Sequence, residues 1–413
     1  MKIDVNKIAK AYGLKNALAH NGKAQQGAII SGLFAEGLKK EDMKKYAKEV
    51  SEIVNEINNL SIEQQRNEFE KLKNFIHERE VREGLPELPN AKKGKVIMRM
   101  SPSPSGAFHI GHVLTASISY LFVKEYGGKF YVRIEDTNPD NIYKPAYKLL
   151  EEDSKWLFEG KAKIIIQSKR MKLYYDYIKK LINKKAAYIC TCDSEKFKEL
   201  INKKQECPCR SLSIKENLER WKKMIDKGKN SFKQGEAVLR FKSPEGVTNK
   251  NPAMRDFPLA RINVTEHPLQ KNKYKVWPLM NLAVAVDDIG LKMTHVIRAK
   301  EHRDNAERQL MIYKALGKEK QYPWTSYLGR IHFKDMELSS TKITHGVKEG
   351  KYTGWDDPQL PTLAALRKKG YKPQAFWKFA ERIGLSENDK IMDKKEFFDL
   401  LDDFNKKAVK EDK

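Results

Sequence analysis

The sequence is short of cysteine, of acid and of long apolar runs. Only four cysteines occur in 413 residues, in two close pairs rather than at scattered spacings. That excludes a disulfide-stapled secreted scaffold and suits a reducing compartment. No apolar run approaches the roughly 20 residues that cross a bilayer, and Met1-Lys2-Ile3-Asp4 does not open a signal peptide. The expectation is a cytoplasmic protein with no membrane partner. No internal repeat is present, which excludes solenoids and propellers. Acids are outnumbered: 80 Lys+Arg against 55 Asp+Glu leave a formal net charge of +25. Such a surplus favours a polyanionic partner, because each neutralised phosphate releases counterions. A lysine-rich composition alone, as at Lys39-Lys40 and Lys184-Lys185, gives the same charge without any partner. At this length two or more domains are expected.

Residues 1–93 read as helical, rich in alanine, lysine and glutamate, with no Gly or Pro from Glu49 to Glu83. Leu85-Pro86-Glu87-Leu88-Pro89-Asn90 closes this region as a linker. His20-Asn21-Gly22 reads as a turn.

The segment Arg99-Met100-Ser101-Pro102-Ser103-Pro104-Ser105-Gly106-Ala107-Phe108-His109-Ile110-Gly111-His112 joins a short strand to a helix start. Lys95 to Met100 is a short apolar run with basic residues, and Val113, Leu114, Ile118, Leu121 and Phe122 recur at helical spacing. Gly106 and Gly111 permit close backbone approach, and a helix starting near Phe108 or His109 turns its dipole toward an anion. His109 and His112, three apart, share a face of the first turn and are placed to donate to phosphate oxygens. The following helix, Gly127-Gly128 and the strand Lys129 to Ile134 complete a βαβ unit, implying a parallel sheet. That strand runs into Glu135-Asp136, which meets a ligand at the carboxyl edge of the sheet or simply forms a turn. Residues 187–274 read as an insertion, after which the sheet pattern returns with the strands Val284 to Asp288 and Thr294 to Arg298. From Leu360 the pattern is helical, and Asn405 to Lys413 reads as a solvated tail.

The string His109-Ile110-Gly111-His112, with its Pro102-Ser103-Pro104-Ser105-Gly106 lead-in, resembles the HIGH signature of class I aminoacyl-tRNA synthetases. The lead-in is similar to the glutamyl/glutaminyl subgroup, and the whole chain resembles its archaeal or eukaryotic type. The resemblance implies an α/β fold: a Rossmann-like parallel-sheet catalytic domain split by an α+β acceptor-binding insertion, with helical N-terminal and C-terminal regions. The expected parts are 1–93, a helical appendage; 94–186 and 275–330, the two catalytic halves; 187–274, the insertion; and 331–413, a lysine loop and helical region.

The implied activity is ATP- and Mg²⁺-dependent activation of L-glutamate and its transfer to tRNA for glutamate, with tRNA for glutamine left open. His109, His112 and Lys342 carry catalysis in this reading, with Lys342 standing two residues beyond Ser340, where the KMSKS pattern places its second lysine. Gly106, Gly111, Ser339 and Ser340 bind ATP. Arg99, Ser101, Ser103, Glu135, Met280 and Arg298 line the amino-acid pocket, Glu135 holding the α-amino group and the arginines favouring a carboxylate. Met280 departs from the tyrosine usual there. Two alternatives remain: a paralogue that passes glutamate to a modified nucleoside or other acceptor, and a catalytically weak tRNA-binding scaffold. Family members of this type continue into anticodon-binding β-barrels, so the resemblance leaves open a fragment, a truncated paralogue, or a separate chain or synthetase-complex partner that supplies them.

Cys190-Thr191-Cys192 and Cys207-Pro208-Cys209 offer four thiolates, the set for a tetrahedral structural Zn²⁺. Similar synthetases carry zinc in this insertion. Four unliganded thiols are the alternative.

Overall fold

The computed structural model describes residues 4–76, 84–336 and 338–411, which fall into two compact units divided between residues 82 and 83. The first unit is helical: α1 (Val5–Ala19), α2 (Gln26–Ala35), α3 (Met43–Asn58) and α4 (Ile62–Leu72). Its core gathers Ala11, Leu14, Ile29, Leu33 and Ile57. The stretch without Gly or Pro is not one helix. Ser61 and Gln64 form a reciprocal capping box that starts α4, because a serine side chain satisfies amide donors that a continuing helix would bond itself. Residues 77–83 of that stretch lie outside the described residues. Asn21 and Gly22 both take left-handed backbone, with φ of 52° and 82°, as the Asn-Gly turn requires.

In the second unit, β1 (Val96–Met100), α5 (Ile110–Tyr126) and β2 (Gly128–Ile134) make the expected βαβ unit, continued by α6 (Ala146–Leu157) and β3 (Ala162–Ile166). The three strands are parallel in the order β1-β2-β3. Gly128 admits no side chain: a Cβ there would lie 1.9 Å from Val96 O, and its φ is 145°. After α7 (Met171–Asn183) comes an antiparallel sheet of β4 (Ala187–Cys190), β5 (Val238–Phe241), β6 (Pro258–Ile262) and β7 (Val276–Pro278), with α8 (Ser194–Asn202) and α9 (Ile214–Ile225) between its first two strands.

The chain then runs through α10 (Met280–Leu291), β8 (His295–Ala299), α11 (Arg303–Ala315) and β9 (Trp324–Leu328), with β8 and β9 parallel. Thr294 joins this second parallel piece to the first. Its amide donates to Ile97 O at 3.0 Å, and its Oγ1 accepts from Ile97 N at 2.8 Å. The remainder comprises β10 (Ile331–Phe333), α12 (Ser340–Lys348), α13 (Leu363–Lys368), α14 (Pro373–Ile383), β11 (Lys390–Met392) and α15 (Lys394–Glu411).

Two expectations are corrected. Val284 to Asp288 is helix, not strand: Leu282, Ala283, Val284, Ala285 and Val286 are each at most 1% exposed, and an apolar run buried on all sides carries no period that separates the two states. Asn405 to Glu411 belongs to α15 with Ala408 buried in it, so the expected tail is an amphipathic helix. Asp412 and Lys413 lie outside the described residues.

Candidate active site

A cavity of about 740 Å³ opens at the carboxyl ends of β1, β2 and β8, where Ser101, Glu135 and Arg298 line it. Parallel sheets bind ligands at this edge because the loops after their strands converge there. The start of α5 forms one wall, and Phe333, Met336 and Leu338 another.

His109 is the N-cap of α5 and His112 lies in its first turn. Their rings stack with centroids 3.8 Å apart and planes 24° from parallel. Burial draws His109 down to about 4 and His112 to about 3. Both are therefore neutral at pH 7 and offer one N–H each, at the end of α5 where the helix dipole favours negative charge. Gly111 lines the cavity, and a Cβ on it would press within 3.2 Å of the His109 ring. Gly106 serves a different neighbour from the one expected: a Cβ there would lie 2.2 Å from the Trp355 ring. The turn is clamped from outside by that indole, and by Thr344 Oγ1, which donates to Ser105 O at 2.7 Å.

At the other end the charges are laid out in a buried lattice. Arg99 grips Asp288 with a fork, Nε to Oδ1 at 2.8 Å and Nη2 to Oδ2 at 3.0 Å, and Nη1 donates to Ser101 Oγ at 2.9 Å. Arg133, fully buried, donates from Nη1 to Asp288 at 2.5 Å and from Nη2 to Glu135 Oε1 at 3.0 Å. Burial alone pushes the Asp288 carboxyl up, but Arg99 and Arg133 outweigh it and hold the group at about 2. Glu135 is thereby fixed by Arg133 on the cavity floor. Its neighbour Asp136 is turned away: it accepts from Tyr147, from the Ser168 amide and from Ser168 Oγ, each at 2.7 Å. Of the acid pair, only Glu135 meets the cavity.

Arg298 donates to Gln309 at 3.0 Å, and its buried Nε has no partner among the described residues. Burial, reinforced by Arg99, lowers it to about 10. A cation short of counter-charge and facing a cavity is prepared for an anion. Met280 lines the same wall, 3.7 Å from the Gln309 amide nitrogen.

The lysine loop is less closely gathered. Ser339 caps α12, accepting from Lys342 N at 3.3 Å. Ser340 begins that helix, and Lys342 stands exposed in its first turn. Met336 and Leu338 line the cavity while Ser339, Ser340 and Lys342 do not; Glu337 lies outside the described residues. Ser103 is exposed on the turn and also outside the lining.

The four cysteines converge. All four sulfurs lie within 4.8 Å of one another, with Cys190 to Cys207 at 3.5 Å, Cys192 to Cys207 at 3.4 Å and Cys192 to Cys209 at 4.0 Å. Sulfurs about 2.3 Å from a tetrahedral ion stand about 3.8 Å apart, so the quartet fits zinc. Arg220 donates to Cys209 Sγ at 3.2 Å.

The sequence pattern singles out none of Arg133, Gln309 and Trp355, and it places Asp288 only at the end of an expected strand. The fully buried Arg133, two residues before Glu135 on a strand, was the one detectable signal, since a charged residue inside an apolar strand needs a partner.

A family profile described as tRNA synthetases class I (E and Q), catalytic domain, matches residues 95–409. The chain is 40% identical over 419 residues to the glutamate–tRNA ligase of Thermococcus kodakarensis, covering 98% of this chain and 70% of that protein. It is 42% identical over 402 residues to the glutamate–tRNA ligase of Pyrococcus horikoshii, covering 94% and 68%. The crystal structure of glutamate-tRNA synthetase from Elizabethkingia anophelis shares the fold with a TM-score of 0.51, at 22% identity over 76% of this chain and 71% of that one.

Proposed function

The chain belongs to the class I tRNA synthetases of the E and Q group, and we propose that it activates L-glutamate with ATP and passes the glutamyl group to the 3′ end of tRNA. The observation that carries this reading is one cavity with neutral paired imidazoles at a helix N-terminus on one side and the Glu135–Arg298 pair on the other. The glutamate α-carboxylate attacks the α-phosphorus of ATP, pyrophosphate leaves, and the terminal adenosine of tRNA then displaces AMP from the adenylate. Glu135, fixed by Arg133, holds the α-ammonium, while Arg298 takes the side-chain carboxylate. Arg99 and Ser101 shape the floor, and Met280 fills the position of the usual phenol. His109 and His112 donate to phosphate oxygens, and Gly106 and Gly111 keep the turn close enough for them to do so. Ser339, Ser340 and Lys342, at the start of α12, serve the triphosphate, and Ser103, on the turn after β1, serves the amino-acid side. Mg²⁺ entering with ATP would supply counter-charge to the triphosphate, and the protein contributes positioning and electrostatics.

Cys190, Cys192, Cys207 and Cys209 would hold a structural Zn²⁺, which would tie the end of β4 to the turn after α8. The surplus of basic charge serves the tRNA. No helix among the described residues is long and apolar enough to cross a membrane, and four cysteines without a disulfide suit a reducing compartment. The deciding measurement is glutamate-dependent exchange of pyrophosphate into ATP, with and without tRNA, followed by charging of tRNA for glutamate and tRNA for glutamine. No exchange in either condition overturns the proposal.

A further inference from the structure

Four side-chain hydrogen bonds run head to tail along one wall of the cavity. Arg298 Nη1 donates to Gln309 Oε1 at 3.0 Å, and Gln309 Nε2 donates to Asn281 Oδ1 at 3.3 Å. Asn281 Nδ2 donates to Asn305 Oδ1 at 3.2 Å, and Asn305 Nδ2 meets His302 Nδ1 at 3.1 Å. The direction of this chain is not free. A guanidinium has donors only, so Gln309 must show it the carbonyl oxygen. The Gln309 amide nitrogen then faces Asn281, and the same choice propagates through Asn305. Arg308 Nη1, 3.4 Å from Asn305 Oδ1, enforces the last orientation independently.

At the far end His302 Nδ1 is left as an acceptor, so the neutral ring carries its proton on Nε2. Both ends of the relay, Arg298 and His302, line the cavity, while Gln309 between them is 3% exposed. His302 lines the cavity together with Arg99, Glu135 and Arg298, at the amino-acid end; partial burial first, then Arg298, keeps it below its ordinary value and hence neutral at pH 7.

We propose that the Gln309–Asn281–Asn305 relay determines side-chain specificity by presenting Arg298 and His302 as two donors with no acceptor between them. His302 is thereby a further substrate-binding residue, and Gln309 a positioning residue. The inference rests on the glutamate-activating function above. A carboxylate has acceptor lone pairs for both donors. A carboxamide turns its NH₂ against one of them and loses that bond, leaving a donor unpaired at the half-buried Arg298 or the exposed His302. Gln309 also reaches Met280 Sδ at 3.7 Å, so the relay backs the cavity wall on which Met280 stands.

The test uses the full chain with tRNA, measuring pyrophosphate exchange with glutamate and with glutamine, and glutamate binding by calorimetry. Gln309→Leu and His302→Phe are expected to raise KM for glutamate about tenfold or more, the loss of one hydrogen bond to a charged group. The kcat and the KM for ATP are expected to stay within about twofold, and the glutamate-to-glutamine ratio of kcat/KM to fall about tenfold. His302→Gln, which restores a donor but adds an acceptor, is expected to recover glutamate use while the ratio stays low. Folded variants that keep both KM and the ratio of the wild type overturn the relay alone. Absence of glutamate exchange and of glutamate binding in the wild type overturns the function and the relay together. If Gln309→Leu does not fold, imidazole ¹⁵N shifts of the wild-type chain decide: an Nδ1–H tautomer at His302 overturns the proposal.

Discussion

Arg133 and Asp288, 155 residues apart in sequence, meet at 2.5 Å in the interior, where Asp288 also carries the fork of Arg99. One carboxylate thus bridges two guanidinium groups beneath the cavity, and Glu135 and Asp287 complete the counter-charge around Arg133.

Replacing that carboxylate separates packing from charge. Asp288→Asn is nearly isosteric but leaves two buried cations with only Asp287 and Glu135 nearby. The expected cost is about 3–5 kcal/mol of folding stability, the range for breaking a buried pair, with KM for glutamate raised because Arg133, which holds Glu135, loses its own partner. Urea unfolding and exchange kinetics measure the two effects. A loss under about 1 kcal/mol would mean the lattice is worth no more than a surface ion pair.

The stacked histidines are expected to act on chemistry rather than on RNA. His112→Ala should lower glutamate-dependent pyrophosphate exchange at least about a hundredfold, the scale for removing a transition-state donor, with tRNA affinity changed less than about threefold. Equal losses in the two assays contradict the assignment.

Two opposed titrations are built around the start of α5. Burial pushes Asp153, which accepts from the Phe108 amide at 3.2 Å, up to about 7. From about pH 4 to 7 the folded chain therefore keeps a proton that the unfolded chain has released, and stability falls as pH rises. His109 and His112 do the reverse. Held at about 4 and about 3 by burial, they stay neutral where the unfolded chain binds protons, so stability rises from about pH 4 to 6.5. Asp153→Asn removes the first effect and keeps an acceptor for Phe108. The gap between variant and wild-type urea midpoints should grow from pH 4.5 to 8, and a constant gap would remove Asp153 from this account.

Gly106 and Trp355 test the clamp on the turn. Gly106→Ala puts a methyl group 2.2 Å from the indole, and an overpacked site of this kind costs about 1–3 kcal/mol. Pyrophosphate exchange should fall with stability, and Trp355→Leu should restore part of both in the double variant. Strict additivity of the two substitutions would show that the residues do not act on one another.

For the cysteine quartet, purified protein should carry about one equivalent of zinc per chain, the stoichiometry of a four-thiolate site. Chelation should lower the melting temperature and release that equivalent. Metal content below about half an equivalent leaves four unliganded thiols.

Local chemistry was legible beforehand. The strand, turn and paired-histidine helix start are short-range features, and Gly128, Asn21 and Gly22 mark backbone that few other residues adopt. Glu135 and Arg298 were placed at strand ends by the same pattern. Asp136, beside Glu135, illustrates the limit: two adjacent acids at a strand end look alike in sequence, yet the pleat and the Ser168 amide draw one inward. Val284 to Val286 illustrates another, since burial on every side erases the alternation that tells strand from helix.

The sequence by itself determined the βαβ unit, the turn with its paired-histidine helix start and the two close pairs of cysteines, because spacing and backbone sterics act over a few residues. Only the tertiary structure decided that Asp288 compensates both Arg99 and Arg133, that Trp355 fills the space at Gly106, and that the amides from Gln309 to Asn305 point one way. Those outcomes join residues brought together by strand order and packing. Hydrogen-bond direction depends on the whole set of donors and acceptors assembled at the site, which no single segment contains.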